Sequence, residues 1–171
     1  MIIRKAVLSD APGIAKVHVD SWRTTYKGIF PDSFLDKLSY ESRTSLWKDN
    51  IAAEGDPIYI AETKEGQVVG FASGSKRETN KDSESGDLTS LYILEEYQRH
   101  GIGKKLMKEL VTKLSEHGCT SLYVEVIADN QATHFYELLG AKLHLEEQMS
   151  VKGEDVDVII YKWESIDDIQ F

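Results

Sequence analysis

Two hydrophobic periods alternate along the chain. Residues 2–7, opening with Ile2 and Ile3 and closing on Ala6 and Val7, read as a short strand. Ser9 and Asp10 then offer capping oxygens, and Pro12 fits a first helical turn. Ile14, Val17, Trp22 and Tyr26 follow at near-helical spacing, with Gly28 as the stop. Pro31 starts a short segment with Phe34, Leu35 and Leu38 inward, and Ser39 caps a helix on the stripe Leu46, Trp47 and Ile51. The period then shortens to two. Ile58, Ile60 and Glu62 alternate with Tyr59 and Ala61, the turn residues 64–67 follow, and Val68, Val69, Phe71 and Ala72 return, which is a hairpin. Residues 77–87 are polar and charged and read as an exposed loop before a strand at 88–93.

Beyond that strand the order is helix, strand, helix. Ile102, Leu106, Leu110 and Leu114 lie four apart, with Met107 and Val111 beside them, so 101–117 is an amphipathic helix ended by Gly118. Residues 122–127 alternate as a strand. Asp129 offers a cap for a helix carrying Ala132, Phe135, Tyr136 and Leu139, which Gly140 ends. Two last strands, 142–150 and 156–163, flank the turn at 152–155. The expected fold class is α/β (α+β), a mixed sheet with antiparallel hairpins at both ends and one parallel crossover in the middle. It is expected as a single domain over 1–171, with its core at about 1–163 and a short acidic C-terminal tail.

Composition narrows the function classes. At 171 residues the chain has the length of one domain with a core of its own. The formal net charge is −9, which disfavours binding to a nucleic-acid polymer or an anionic membrane. The lone Cys119 cannot form an intramolecular disulfide, no apolar stretch is long enough to span a bilayer, and residues 1–6 lack the apolar core of a signal peptide. A cytoplasmic location is expected. The five histidines show no metal-ligand spacing, so no metal site is expected.

The charge is unevenly spread. Residues 98–113 carry five Lys/Arg and one acid, a local +4 against −13 elsewhere. Three of those lysines, Lys104, Lys105 and Lys108, fall in the first turns of a helix, where positive charge opposes the dipole. Gln98, Arg99, His100, Gly101, Ile102 and Gly103 lead into it, and glycines two apart let a ligand approach the backbone. A strand-to-helix turn of this kind aims N–H groups and the dipole's positive end outward, an anion site. The bland reading is a solvated basic helix face. The Walker A pattern fails, because Gln98 stands at its first glycine and Lys105 where Ser or Thr would hold magnesium. The dinucleotide fingerprint fails at Leu106.

The turn resembles the pyrophosphate-binding signature of the GCN5-related N-acetyltransferases (GNAT), Gln/Arg-x-x-Gly-x-Gly/Ala, through Gln98, Gly101 and Gly103. The strand residues Leu91, Tyr92 and Ile93 resemble the family's pantetheine-supporting strand. Residues 130–137 with Gly140 and Ala141 resemble its Asn-x-x-Ala-x-x-Phe-Tyr-Glu-x-x-Gly-Phe segment, Ala141 standing where Phe is frequent. The resemblance implies a mixed, mostly antiparallel sheet with a splayed parallel strand pair, flanked by helices. It implies acetyl-CoA as cosubstrate, held by the backbone of Arg99 to Lys104, by Leu91 and Ile93, and by the Asn130 side chain. Tyr136 matches the family's general acid, although Tyr at a helix's apolar face is also a common core residue. The base is left among Glu125, Asp87, Glu84 and ordered water. Trp22, Tyr26, Phe30 and Phe34 lie where the family binds its acceptor, and they read equally as core.

The activity implied is acetyl transfer to an amine of a small molecule or protein, by direct attack in a ternary complex. Cys119 follows a helix C-terminus, where a thiolate is disfavoured. A non-catalytic acyl-CoA sensor with the same fold is the alternative. A homodimer is a further expectation from the family.

Overall fold

The computed structural model describes residues 1–53, 55–76, 84–151 and 153–171. Seven strands form one sheet in the order β1-β2-β3-β4-β5-β7-β6. They are β1 (Ile2–Lys5), β2 (Ile58–Glu62), β3 (Val68–Lys76), β4 (Ser85–Ile93), β5 (Ser121–Ile127), β6 (Lys142–Val151) and β7 (Glu154–Trp163). Among the described residues only β4 and β5 run parallel; the other neighbouring pairs are antiparallel. The helices are α1 (Ala11–Thr25), α2 (Asp32–Leu35), α3 (Tyr40–Ala52), α4 (Ile102–Glu116) and α5 (Ala132–Leu138). The mixed sheet with one parallel crossover is as the hydrophobic pattern predicts.

Each face of the sheet has its own helices. The stripe Leu106, Leu110 and Leu114 of α4 packs where β3 and β4 offer Gly70, Gly74 and Gly86 instead of side chains. On the opposite face Phe71 meets Trp47 of α3, with ring centroids 4.8 Å apart, and His18 of α1 at 6.0 Å. His18 is half-buried and held neutral, its pKa pushed down to about 4 by desolvation, and its Nδ1 accepts a hydrogen bond from Trp47 Nε1 at 3.0 Å. A second apolar cluster joins Val19, Tyr26, Phe30 and Leu35 to Ile127, Val156 and Val158, tying α1 and α2 to the far ends of β5 and β7.

The stretch before β4 and the cap of α5 differ from the sequence reading. Residues 77–83 of the expected loop lie outside the described residues, but Ser85, Gly86 and Asp87 are strand. They pair with Ser121 to Tyr123 on one side and with Ser75 and Lys76 on the other. Polar composition misleads here because tight packing asks for small residues: a Cβ on Gly86 would come within 3.3 Å of Cys119 Sγ. Cys119 itself is buried, and desolvation pushes its thiol pKa up. The cap of α5 is supplied by Asn130 rather than Asp129, through Ala132 N donating to Asn130 Oδ1 at 2.9 Å.

The chain after Trp163 packs back on the fold. Ile166 and Ile169 are buried, Ile166 N donates to Thr120 O, and Gln170 N donates to Leu139 O. Trp163 Nε1 donates to the same Leu139 carbonyl at 2.9 Å. The short α5 is thereby fixed at its C-terminal end.

At the other end, Arg4 of β1 clamps the start of α1 to β2. Its guanidinium donates to both carboxylate oxygens of buried Asp10, at 2.7 and 2.9 Å, and to Glu62 at 2.6 Å. Asp10 also accepts from Val7 N, and these donors, Arg4 above all, hold its carboxyl below the usual range. A lowered carboxylate pKa stabilises the fold fully above the unfolded-state value, and that contribution is lost as pH falls through the folded value. Asp10→Asn is expected to lower Tm by about 5 °C at pH 7, given roughly 1–3 kcal/mol for a charged hydrogen bond and about 2–4 °C per kcal/mol at this size. In calorimetric scans the gap from wild type should close below pH 4; a gap independent of pH would refute the role.

Candidate active site

The sheet comes apart at the parallel pair β4 and β5. Register runs from Ser85 opposite Ser121 to Leu88 opposite Val124, and no pair follows. The cause lies on the other edge of β4. Against β3, Ser73 faces Ser90 but Gly74 faces Leu88, so Thr89 is the extra residue of a bulge. A bulge bends its strand and raises the local twist, and β4 diverges from β5 at that point. Leu94 N bonds back to Val69 O at 3.0 Å, so by alternation the main-chain groups of Leu91 and Ile93 point toward the open edge.

The gap holds a small cavity of about 50 Å³. One wall is β4 from Leu88 to Tyr92; the other is Val124, Glu125 and Val126 of β5. Tyr26, Asn130, Ala132 and Tyr136 complete it. Tyr136 is buried beside Phe135 and Trp163, and desolvation raises its phenol pKa well above the ordinary value near 10, keeping it protonated. A chain of polar contacts crosses the gap. Trp22 Nε1 donates to Tyr92 Oη at 3.0 Å, Tyr92 is hydrogen-bonded to Tyr26, and Asn130 Nδ2 donates to Tyr26 Oη at 3.5 Å. Since Asn130 Oδ1 is already the cap of α5, its NH₂ is the part left facing the cavity.

At the mouth of the gap stands the turn into α4. Gln98 Nε2 donates to Ile93 O at 3.0 Å and braces the turn against the end of β4. Arg99 and Gly101 both adopt left-handed backbone, φ 62° and 74°, curling successive N–H groups toward one side. The N-cap, Gly101, has no side chain to offer, and the first turn carries no acid. Lys105 N is the donor to Gly101 O, so the N–H groups of Ile102, Gly103 and Lys104 have no acceptor within the helix. Gly103 is required for close approach: a Cβ there would lie 3.3 Å from Phe135 Cζ and 3.4 Å from Ile93 Cδ1. The start of α4, the end of β4 and α5 therefore converge at one corner. Lys104, Lys105 and Lys108 are exposed around it.

The fold thus gathers Leu91, Tyr92, Ile93, Gln98, Arg99, His100, Gly101, Ile102, Gly103, Lys104, Asn130 and Tyr136 along one gap and its mouth. Glu125 lines the β5 wall and is exposed. Asp87 and Glu84 lie at the closed end, before the strands part. His134 is exposed on α5. Of the aromatic group, Trp22 stacks on Phe30, Tyr26 and Phe34 pack against them at tilted angles, and Tyr26 alone of the four lines the cavity. Sequence reasoning missed Thr89, whose hydroxyl lies 2.8 Å from that of Ser73. A bulge is a property of register between two strands and leaves no mark on either one.

The arrangement presents an open strand edge for an extended amide-bearing arm, a nest of N–H groups with basic flanks for a diphosphate, and a protonated phenol inside. Residues 19–141 match the sequence model of the Acetyltransferase (GNAT) family. An uncharacterized N-acetyltransferase of Bacillus subtilis (strain 168), YuaI, is 35% identical over 161 residues, covering 94% of this chain and 91% of that protein. A spermine/spermidine N(1)-acetyltransferase of the same strain is 34% identical over 99 residues, 55% of this chain and 64% of that one. The crystal structure of PaiA N-acetyltransferase from Thermoplasma acidophilum in complex with coenzyme A has the same fold, with a TM-score of 0.74, 21% identity, and coverage of 95% of this chain and 98% of that one. With the family model spanning most of the sequence and one relative matched almost end to end, the chain belongs to the GNAT family of acetyltransferases, whose cosubstrate is acetyl-CoA.

Proposed function

We propose that this protein transfers the acetyl group of acetyl-CoA to a primary amine of a small molecule or protein, by direct attack in a ternary complex. The observation that carries this reading is the division of labour between the faces of the sheet at the gap. Tyr136 adjoins Phe135, whose ring lies against Gly103 in the first turn of α4, beside the anion site. Glu125 alternates with Val124 and Val126 and shares its face with Ile127, which packs on α1. A proton donor on the cofactor side and a carboxylate on the other side suit a reaction in which a thiolate leaves one way and an amine arrives from the other.

In this reading the N–H groups from Arg99 to Lys104 hold the pyrophosphate, with Gln98 bracing the turn and the lysines adding charge. The main-chain groups of Leu91 and Ile93, and the Asn130 amide, hold the pantetheine arm. Glu125, directly or through a water, takes a proton from the ammonium so that a neutral amine attacks the thioester carbonyl. The C–N bond forms, the C–S bond breaks, Tyr136 protonates the departing thiolate, and the proton that the nitrogen sheds on becoming an amide restores the phenol. No covalent acetyl-enzyme is needed, and Cys119 is unsuited to one: it is buried with a raised thiol pKa. The similarity to a spermine/spermidine acetyltransferase supports an amine acceptor, and the −13 charge outside residues 98–113 favours a cationic one by steering.

Thiol release from acetyl-CoA over a panel of amines tests the reading; binding of acetyl-CoA without release from any amine would favour a sensor instead. Tyr136→Phe is expected to lower kcat by about 10²-fold or more while the acetyl-CoA Kd stays within about twofold of wild type. Because burial raises the phenol pKa, the alkaline fall in wild-type kcat should begin only above pH 10; a fall near pH 8 would exclude Tyr136 as the acid. The double variant Lys104→Ala/Lys105→Ala, altering exposed side chains only, should raise the acetyl-CoA Kd about fivefold and flatten its salt dependence in titration calorimetry.

A further inference from the structure

We propose that Tyr26 is a second catalytic phenol, whose hydroxyl hydrogen bonds the thioester carbonyl oxygen of acetyl-CoA and stabilises that oxygen as it gains negative charge. The inference rests on the acetyl-transfer reading above. It supplies a group for the one developing charge that Tyr136 and Glu125 leave unattended.

A count of hydrogens at the gap points to this role. Trp22 Nε1 donates to Tyr92 Oη at 3.0 Å, and an indole N–H can only donate. Asn130 Nδ2 donates to Tyr26 Oη at 3.5 Å, while Asn130 Oδ1 is committed to Ala132 N. Tyr92 and Tyr26 are hydrogen-bonded to each other. The two phenols therefore own two hydroxyl hydrogens and use one between them. Desolvation raises the Tyr92 pKa, and this bond raises it further, as a bond does for the phenol that donates it. Tyr92 thus gives its hydrogen and Tyr26 keeps its own, for which the described residues offer no acceptor. Tyr26 is only 6% exposed, and a hydroxyl so enclosed is ordinarily paired. Since Tyr26 lines the gap between β4 and β5, its partner is the molecule that fills the gap.

Polarity selects the atom that Tyr26 meets. With Asn130 and Tyr92 both donating to it, the Tyr26 oxygen presents a hydrogen and no free lone pair. An ammonium only donates and finds no acceptor there. A neutral amine needs its single lone pair to attack the carbonyl carbon. A carbonyl oxygen accepts, and accepts more strongly as charge builds on it. The ring is fixed before any ligand arrives, with centroids 4.6 Å from Trp22 and 5.5 Å from Phe30, so the hydroxyl pays little reorganisation. Tyr136 lines the same cavity, so the two phenols divide the thioester between them, Tyr26 at oxygen and Tyr136 at sulfur. Tyr26 keeps its proton throughout: the C–N bond forms and the C–S bond breaks as above, and the hydroxyl is left unchanged.

The test is Tyr26→Phe, which keeps the packed ring and removes only the hydroxyl. Infrared difference spectra are taken with acetyl-CoA labelled with carbon-13 at the carbonyl, in the absence of any amine. In wild type the bound carbonyl stretch should fall below its value in solution, and in Tyr26→Phe it should return toward that value. By titration calorimetry the acetyl-CoA Kd should rise about threefold in the variant while the coenzyme A Kd is unchanged. The variant's kcat should fall about 10²-fold or more. A carbonyl band that does not move on binding, or a shift that survives in Tyr26→Phe, overturns the proposal and leaves acetyl transfer standing. Equal weakening of coenzyme A and acetyl-CoA also overturns it, because the hydroxyl would then serve the pantetheine arm. A shift lost in Tyr26→Phe, with no thiol release by wild type from any amine, would uphold the contact and refute the transfer reading instead.

Discussion

The register slip at Thr89 is the constraint on which the rest of this molecule depends. A parallel pair in the middle of a sheet would normally be zipped along its whole length, each strand satisfying the other's N–H and C=O groups. Here one extra residue on β4 bends the strand after Leu88, and hydrogen-bonding groups at the heart of the fold are left for a ligand. The sheet tolerates this because the neighbouring ladders are intact: β4 remains paired to β3, and β5 is paired to β7 along Leu122 to Ile127. The opening is held at a fixed width by side chains where backbone pairing has ceased, through Trp22, Tyr92, Tyr26 and Asn130.

Charge is organised around the same opening. The turn into α4 breaks the usual rules for a helix start, with lysines where acids are favoured and a glycine where a capping side chain belongs. Such a violation is sensible when the missing negative charge arrives with a ligand. It also reconciles an acidic protein with a phosphate-bearing cosubstrate: the positive region is one corner, fixed by Gly103 against Phe135 and Ile93, and not a surface.

Much of this was legible in the order of residues. The 3.6-residue stripe of α4, the alternation of β5 and the glycines of the turn are local features, and local features survive in a sequence. What escaped depends on relations between segments. The bulge at Thr89 exists only against Ser73 and Gly74 of another strand. The strand character of Ser85 to Asp87 comes from ladders on both sides and from the space Gly86 leaves for Cys119 and Leu114, while its composition reads as a loop. The cap of α5 fell on Asn130 instead of Asp129, a one-residue choice that turn geometry decides. Tyr26 could be placed in a core or at a pocket by its spacing, and it serves both, packed among Trp22 and Phe30 with its hydroxyl at the gap.

The helix that carries Tyr136 is only seven residues long, too short to persist by its own hydrogen bonds. Its rigidity is borrowed from Trp163 and Gln170, which share the carbonyl of Leu139, and from Ile166 and Ile169 beneath them. One side of the cleft is therefore built with residues from beyond the last strand, so the positioning of the phenol depends on the 164–170 segment as much as on the sheet.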